Sequence, residues 1–231
     1  MKRGDTIEPC DRAWQSACPT VAAPCVGPLP DMKNGQRVIV AANGVFLHVK
    51  LDWLDCILRL ADMASVPPLP YGAVQERTRF SFGVIPVRLL QEFIAAGRAG
   101  LPNEIAGGLI YSRRSGKLRL QIYEALHLAP GSSDERKPVL EEDESIAVDL
   151  HTHGYRRAYF TAADYRDNLG IKVAGVFGNL DRERPSAAFR LAINGYLRAL
   201  RHPWEAPYDR TRALSDTEDS LDAEIPRSAI K

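Results

Sequence analysis

The sequence predicts an α/β (α+β) chain, a mixed β-sheet flanked by helices and preceded by a small α+β amino-terminal unit. Three observations point there. Alternating or continuous apolar runs at Lys117 to Ala125, Ser145 to Leu150, Ile171 to Phe177 and Ala187 to Ile193 read as strands. Leu89, Leu90, Phe93 and Ile94, just after Pro86, give a helix its buried face. A separate pair of strands around Asn43-Gly44 is cut off from the rest by Pro67, Pro68 and Pro70. At 231 residues, 45% of them hydrophobic, the chain can bury a sizeable core.

Taken in order, residues 1–35 carry Pro19, Pro24, Pro28 and Pro30 and read as an extended lead-in with little regular structure. Arg37 to Ala41 and Val45 to Leu51 flank Asn43-Gly44, a pair suited to positive φ, which predicts a β-hairpin. Asp52 can then cap a short helix to Met63, because Trp53, Ile57 and Leu60 with Leu54, Leu58 and Ala61 fall at helical spacing. A boundary near residue 75 closes this unit, residues 36–75.

The main domain, residues 76–204, opens with a strand at Thr78 to Val84 and the helix after Pro86, which Gly97 and Gly100 weaken. Glu104 to Tyr111 is a buried strand in which Gly107 and Gly108 imply close backbone approach. Ser115-Gly116 turns into Lys117 to Ala125, where Leu118, Leu120 and Ile122 alternate with Lys117, Arg119 and Gln121. A polar loop from Gly131 to Asp143 precedes the three later strands, and Asn194-Gly195 closes the last of them before a further strand or short helix. Residues 205–231, with Asp216, Glu218, Asp219 and Asp222, read as a polar, disordered tail.

Thirty basic against 29 acidic residues give a net charge of +1, which supplies no electrostatic ground for a nucleic-acid or membrane partner. Lys2 and Arg3 are not followed by an apolar stretch, and no run reaches membrane-spanning length, so the reading is cytoplasmic. Cys10, Cys18, Cys25 and Cys56 lack the spacing of a zinc knuckle and are expected to be reduced thiols.

The chemistry sits at His151-Thr152-His153, where a predicted strand ends. Residues two apart on an extended segment point to the same side, so both imidazoles can grip one ion. Thr161 and Asp164 follow in a stretch that reads as a helix start, and a returning loop can bring the Asp carboxylate back to the histidines. Two imidazoles and one carboxylate leave a tetrahedral position open, the pattern of a catalytic zinc site, where the pKa of a water can fall from about 15.7 to about 7. Thr161 to Asp164 also has capping-box spacing, and the ligand and capping roles can coexist. Asp149 and Asp167 are alternative ligands, whereas His48, His127 and His202 lack ligand spacing and are expected to be structural. An amidohydrolase barrel would need further histidines, and a metallo-β-lactamase would want Asp-His where Tyr155-Arg156 stands.

His-x-His, seven residues, Ser or Thr, two residues and Asp resembles the metal signature of JAMM/MPN metalloproteases, with Thr161 in the hydroxyl position. That resemblance implies a JAMM/MPN-like, cytidine deaminase-like domain holding one Zn2+ on His151, His153 and Asp164. Pro102-Asn103-Glu104-Ile105-Ala106-Gly107 resembles the family's Pro-x-Glu-x-x-Gly stretch, which makes Glu104 the implied general base and acid and Thr161 the implied oxyanion partner. The family usually has Pro after the second His and Ser in the hydroxyl slot, where this chain has Gly154 and Thr161.

The stretches Gly35 to Ala41, Pro68 to Gly72 and Gly170 to Leu180 resemble the PRTRC system protein A family of bacterial plasmids and islands, over residues 20–200. That resemblance implies a ubiquitin-like protein and a ThiF-like adenylating enzyme as partners, beside a ParB-related protein. The implied activity is that of a zinc isopeptidase or peptidase acting at the carboxyl end of the ubiquitin-like protein. A processing peptidase and a metal-retaining scaffold with little turnover are the alternatives.

Overall fold

The computed structural model describes residues 7–62, 69–125, 135–136, 138–166, 170–201 and 203–204. The described residues divide into two compact units that meet in sequence after Ser81. The predicted tail at 205–231 and residues 131–134 and 137 of the polar loop lie outside the described residues, as do His127, Asp167 and His202.

The first unit is a five-stranded sheet in the order β1-β2-β3-β4-β5, built from β1 (Thr20–Ala22), β2 (Gly35–Ala41), β3 (Gly44–Lys50), β4 (Leu54–Ala61) and β5 (Arg77–Phe80). β1 runs parallel to β2 and the other pairs are antiparallel. The expected lead-in is thus structured in part, because β1 adds to the sheet and helix α1 (Pro9–Ala17) precedes it. The hairpin forms, but Ala41 pairs with Gly44, so Ala42 and Asn43 make its tip. Asn43 contributes through its side chain, which donates to Val74 O at 2.8 Å and accepts from Val74 N–H at 2.9 Å.

The predicted helix over Asp52 to Met63 is corrected to strand β4. The apolar run fits both periods, and the tertiary partners decide: β4 is hydrogen-bonded to β3 on one side and β5 on the other, with Leu54, Cys56, Ile57 and Leu58 buried. The same pairing moves the predicted boundary from residue 75 to 81. The strand expected to open the main domain is β5, which closes the first sheet by pairing with β4.

One face of this sheet buries Ala23, Ile39, Ala41, Phe46, Ile57 and Val74. At its polar end Arg37 Nε donates to His48 Nδ1 (3.2 Å), His48 Nε2 donates to Asp55 Oδ1 (3.0 Å), and Arg77 also holds Asp55 (3.1 and 3.2 Å). His48 is therefore structural, as expected. Burial, outweighing Asp55, holds its pKa below the ordinary 6.5. Burial alone would raise Asp55, but Arg77 and His48 outweigh it and hold the carboxyl below 3.8.

Both shifts have the same consequence for stability. A histidine neutral in the fold but ready to protonate when unfolded loses stability as pH falls through 6.5 toward the folded value. The Asp55 contribution is complete above 3.8 and is lost at still lower pH, as pH falls through the depressed folded value. The urea midpoint followed by Trp53 fluorescence should therefore fall between pH 7.5 and 5.5, and His48→Gln should flatten that dependence. An equally steep slope in the variant would remove His48 as its source.

The second unit centres on a six-stranded mixed sheet in the order β13-β12-β11-β10-β6-β7. Its strands are β6 (Ala106–Ser112), β7 (Lys117–Ile122), β10 (Glu144–Thr152), β11 (Ile171–Gly178), β12 (Ser186–Ile193) and β13 (Tyr196–Ala199), with β8 (Glu124–Ala125) and β9 (Glu135–Arg136) as a separate small pair. Asn194 (φ 49°) and Gly195 (φ 90°) form the predicted turn, and the chain after it is strand β13.

Helix α2 (Val87–Gly100) covers one face through Leu89, Leu90, Phe93, Ile94 and Gly97, with Phe93 5.6 Å from the Phe177 ring. Gly97 serves packing more than it weakens the helix. A Cβ there would lie 2.8 Å from Leu180 Cδ1 and 3.1 Å from Thr152 Cγ2. Gly107 meets the expectation of close approach, since a Cβ would lie 2.8 Å from Gln121 O. β10 and β11 are the parallel pair of this sheet, so residues 153–170 must cross over between them, carrying helix α3 (Ala162–Arg166).

Candidate metal centre

The crossover begins where the histidines stand. His151 pairs with Ala106 of β6 and Val176 of β11, so β10 is central and its end is held on both sides. Thr152 is fully buried toward α2, its Oγ1 accepting from Ile105 N–H at 2.9 Å while its own N–H donates to Ile105 O at 3.0 Å. Alternation then turns His151 and His153 to the opposite side.

The chain leaves β10 through a turn tied to the end of β11. His153 N–H donates to Phe177 O (2.7 Å), Leu180 N–H to Gly154 O (3.0 Å) and Asn179 N–H to Arg156 O (2.7 Å). Gly154 takes φ +53°, a conformation closed to the Pro found there in the resembling family. Ser186 Oγ accepts from Ala158 N–H at 2.8 Å and so fixes the next segment.

At the far end of the loop Thr161 and Asp164 form the capping box. Asp164 Oδ2 accepts from Thr161 N–H (2.5 Å) and from Thr161 Oγ1 (2.7 Å), which leaves Oδ1 to face His151. One ligand atom each from His151, His153 and Asp164 lie within 4.8 Å of one another. His151 Nε2 is 3.3 Å from Asp164 Oδ1, and the two imidazole centroids are 5.1 Å apart. Tyr159 stands edge-on to His153, with ring centroids 4.7 Å apart.

Two buried nitrogens, His151 Nε2 and His153 Nδ1, have no hydrogen-bond partner among the described residues. Buried polar groups in folded proteins are as a rule hydrogen-bonded, and two imidazole lone pairs that converge beside a carboxylate fit a cation. Burial, outweighing Asp164, lowers the His151 pKa and keeps the ring in its neutral, ligating form. For Asp164 burial works the other way, but the Thr161 hydroxyl and His151 outweigh it and hold the carboxyl low.

The structure thus gathers His151, His153, Asp164 and Thr161. It places the Thr161 hydroxyl against Asp164, where the family resemblance also implied an oxyanion role. Glu104 is exposed and immediately precedes Ile105, whose two hydrogen bonds to Thr152 set it at the end of β6 beside the His-Thr-His segment. Asp149 accepts from Lys172 Nζ at 2.9 Å and is outside the ligand cluster. Sequence reading passed over Thr152 and Ser186 as supports, although a hydroxyl in an otherwise apolar strand end was the available signal.

Fold and site together define a candidate mononuclear centre of two imidazoles and one carboxylate at the end of a central strand. Residues 86–192 match the family described as prokaryotic homologs of the JAB domain. Residues 8–81 match a domain of unknown function, DUF2016. The solution structure of protein DSY2949 from Desulfitobacterium hafniense is similar at 16% identity over 49% of this chain and 86% of that one, with a TM-score of 0.36. No curated protein matches the chain. No helix among the described residues is long and apolar enough to cross a membrane.

Proposed function

We propose that the second unit is a JAB-type, zinc-dependent hydrolase that cuts an amide bond at the carboxyl end of a ubiquitin-like protein. The observation that carries the metal reading is the convergence of two bare, buried imidazole nitrogens on one carboxylate. Zinc held by His151, His153 and Asp164 would supply Lewis acidity toward the scissile carbonyl and acidify a water. Glu104, exposed at the end of β6, takes a proton from the attacking water and delivers it to the departing nitrogen. Thr161 orients Asp164 through the capping box, and this explains a Thr in the hydroxyl position as well as an oxyanion contact does.

The substrate rests on the resemblance of Gly35 to Ala41, Pro68 to Gly72 and Gly170 to Leu180 to the PRTRC system protein A family, with a ThiF-like adenylating enzyme as the second partner. The test compares wild type with Glu104→Gln for bound zinc and for cleavage of a fusion to the neighbouring ubiquitin-like protein. The variant should keep its zinc and lose about 10²- to 10⁴-fold in kcat. Full activity in Glu104→Gln would remove it as the base. Wild type without zinc would end the metal reading, and wild type with zinc but no cleavage would favour the scaffold.

A further inference from the structure

Helix α3 is only five residues long, and Ala162, Ala163 and Tyr165 are exposed, so neither helix propagation nor apolar burial explains how Asp164 is held in place. The sheet face beneath it offers little to pack on. On β12 the residues sharing a face with Arg190 are Ala188 and Ala192, and Arg190 pairs across to Ala174 of β11. Ala174 pairs in turn with Asp149 of β10, two residues before His151 and on its side of the strand, so Arg190 stands on the metal-centre face.

Arg190 is 4% exposed, in the middle of the apolar run Ala187 to Ile193. Its guanidinium carbon lies 3.7 Å from the Phe160 ring centroid and 4.4 Å from that of Tyr165. These rings flank Thr161 and Asp164 in sequence, one on each side. A planar cation stacks on aromatic faces far better when it is desolvated, and three small alanines around it leave the rings room to lie against it.

We infer that Arg190 is a positioning residue of the metal centre: clasped by Phe160 and Tyr165, it anchors the capping-box segment to the sheet and thereby presents Asp164 to His151 and His153. The inference rests on the metal-centre reading above and adds to it the residue that sets the third ligand. The anchor acts before any metal arrives, so it has a signature in the metal-free protein. An arginine in the middle of a buried strand is the mark it leaves in the sequence.

The experiment measures zinc affinity by competition with a chromophoric chelator, and amide hydrogen exchange of residues 161–165 in metal-free protein, for wild type, Arg190→Met, Arg190→Lys and Tyr165→Leu. Arg190→Met fills the volume without the charge and should weaken zinc about 10- to 100-fold, the range for residues that orient ligands. It should also raise exchange in 161–165 while the sheet stays protected. Arg190→Lys should recover much of the affinity, since an ammonium also binds a ring face. Tyr165 is exposed, so Tyr165→Leu tests the clasp without threatening the core, and it should shift affinity in the same direction. Wild-type affinity in both Arg190→Met and Tyr165→Leu, or loss of sheet protection with no selective change at 161–165, would overturn the inference. Absence of zinc from wild type would instead overturn the metal-centre reading, and an unchanged exchange pattern at 161–165 in metal-free Arg190→Met would overturn the anchor in that case too.

Discussion

His151→Ala is expected to abolish tight zinc binding while leaving the metal-free fold intact or slightly more stable. Taking the about 10–16 kcal/mol of a structural zinc site shared over some four ligands, one ligand is worth about 2.5–4 kcal/mol, or roughly 10²- to 10³-fold in Kd. The stability half of the expectation follows from Nε2, which makes no hydrogen bond and lies 3.3 Å from Asp164 Oδ1. Removing a buried nitrogen that accepts from nothing gives up no hydrogen bond and relieves a desolvation cost of about 1–3 kcal/mol, offset in part by lost packing against His153 and Asp164. Melting curves with and without zinc check both halves. Wild type should rise with added zinc in proportion to the logarithm of its concentration, and the variant should not. A metal-free melting temperature several degrees below wild type would mean that His151 serves the fold instead.

The candidate cluster was legible because its chemistry is local: two histidines two apart on a strand, and an acid three residues after a threonine, constrain one another through backbone periodicity. Strand β7 and helix α2 were legible from their own periods, and β10, β11 and β12 from short apolar runs bounded by turn residues, which the sheet then buries. The segment Leu54 to Ala61 was not. Its apolar residues satisfy helical and extended spacing together, and what selects the strand is a neighbour on each side, β3 and β5, neither of which local spacing can register. Missing β5 as its partner also displaced the boundary. Helix α1 and strand β1 escaped because prolines at 19, 24, 28 and 30 lie at and beyond their ends, and the compositional signal of the whole stretch hid the short elements between. The supports of the site were invisible in a different way. Arg190 meets Phe160 and Tyr165 across the sheet from residues 25 to 30 positions earlier, a contact that no motif encodes.

Gly178→Ala should remove zinc binding without touching a ligand. Gly178 ends β11, and a Cβ on it would fall onto Arg156 O, Ala158 N and Arg157 C, all of them backbone. Side-chain rotation cannot relieve such an overlap, so either the end of β11 or residues 156–158 must move. The strand is held by its ladder to β12, in which Gly178 pairs with Ser186, whereas residues 156–158 are held here by two single bonds, Ala158 N–H on Ser186 Oγ and Asn179 N–H on Arg156 O. The loop is the weaker side. Its displacement would break those two hydrogen bonds, at about 1 kcal/mol each, and add an overpacking cost of about 1–3 kcal/mol. More consequential is the geometry, because residues 156–158 join His153 to Thr161 and Asp164, and a shift there separates the second imidazole from the carboxylate. Ligand distances tolerate only a few tenths of an ångström. Zinc titration of the folded variant, with circular dichroism to confirm the sheet, reads the result; retention of wild-type affinity would show that the loop can yield at Gly178 without passing the movement to His153 or Asp164.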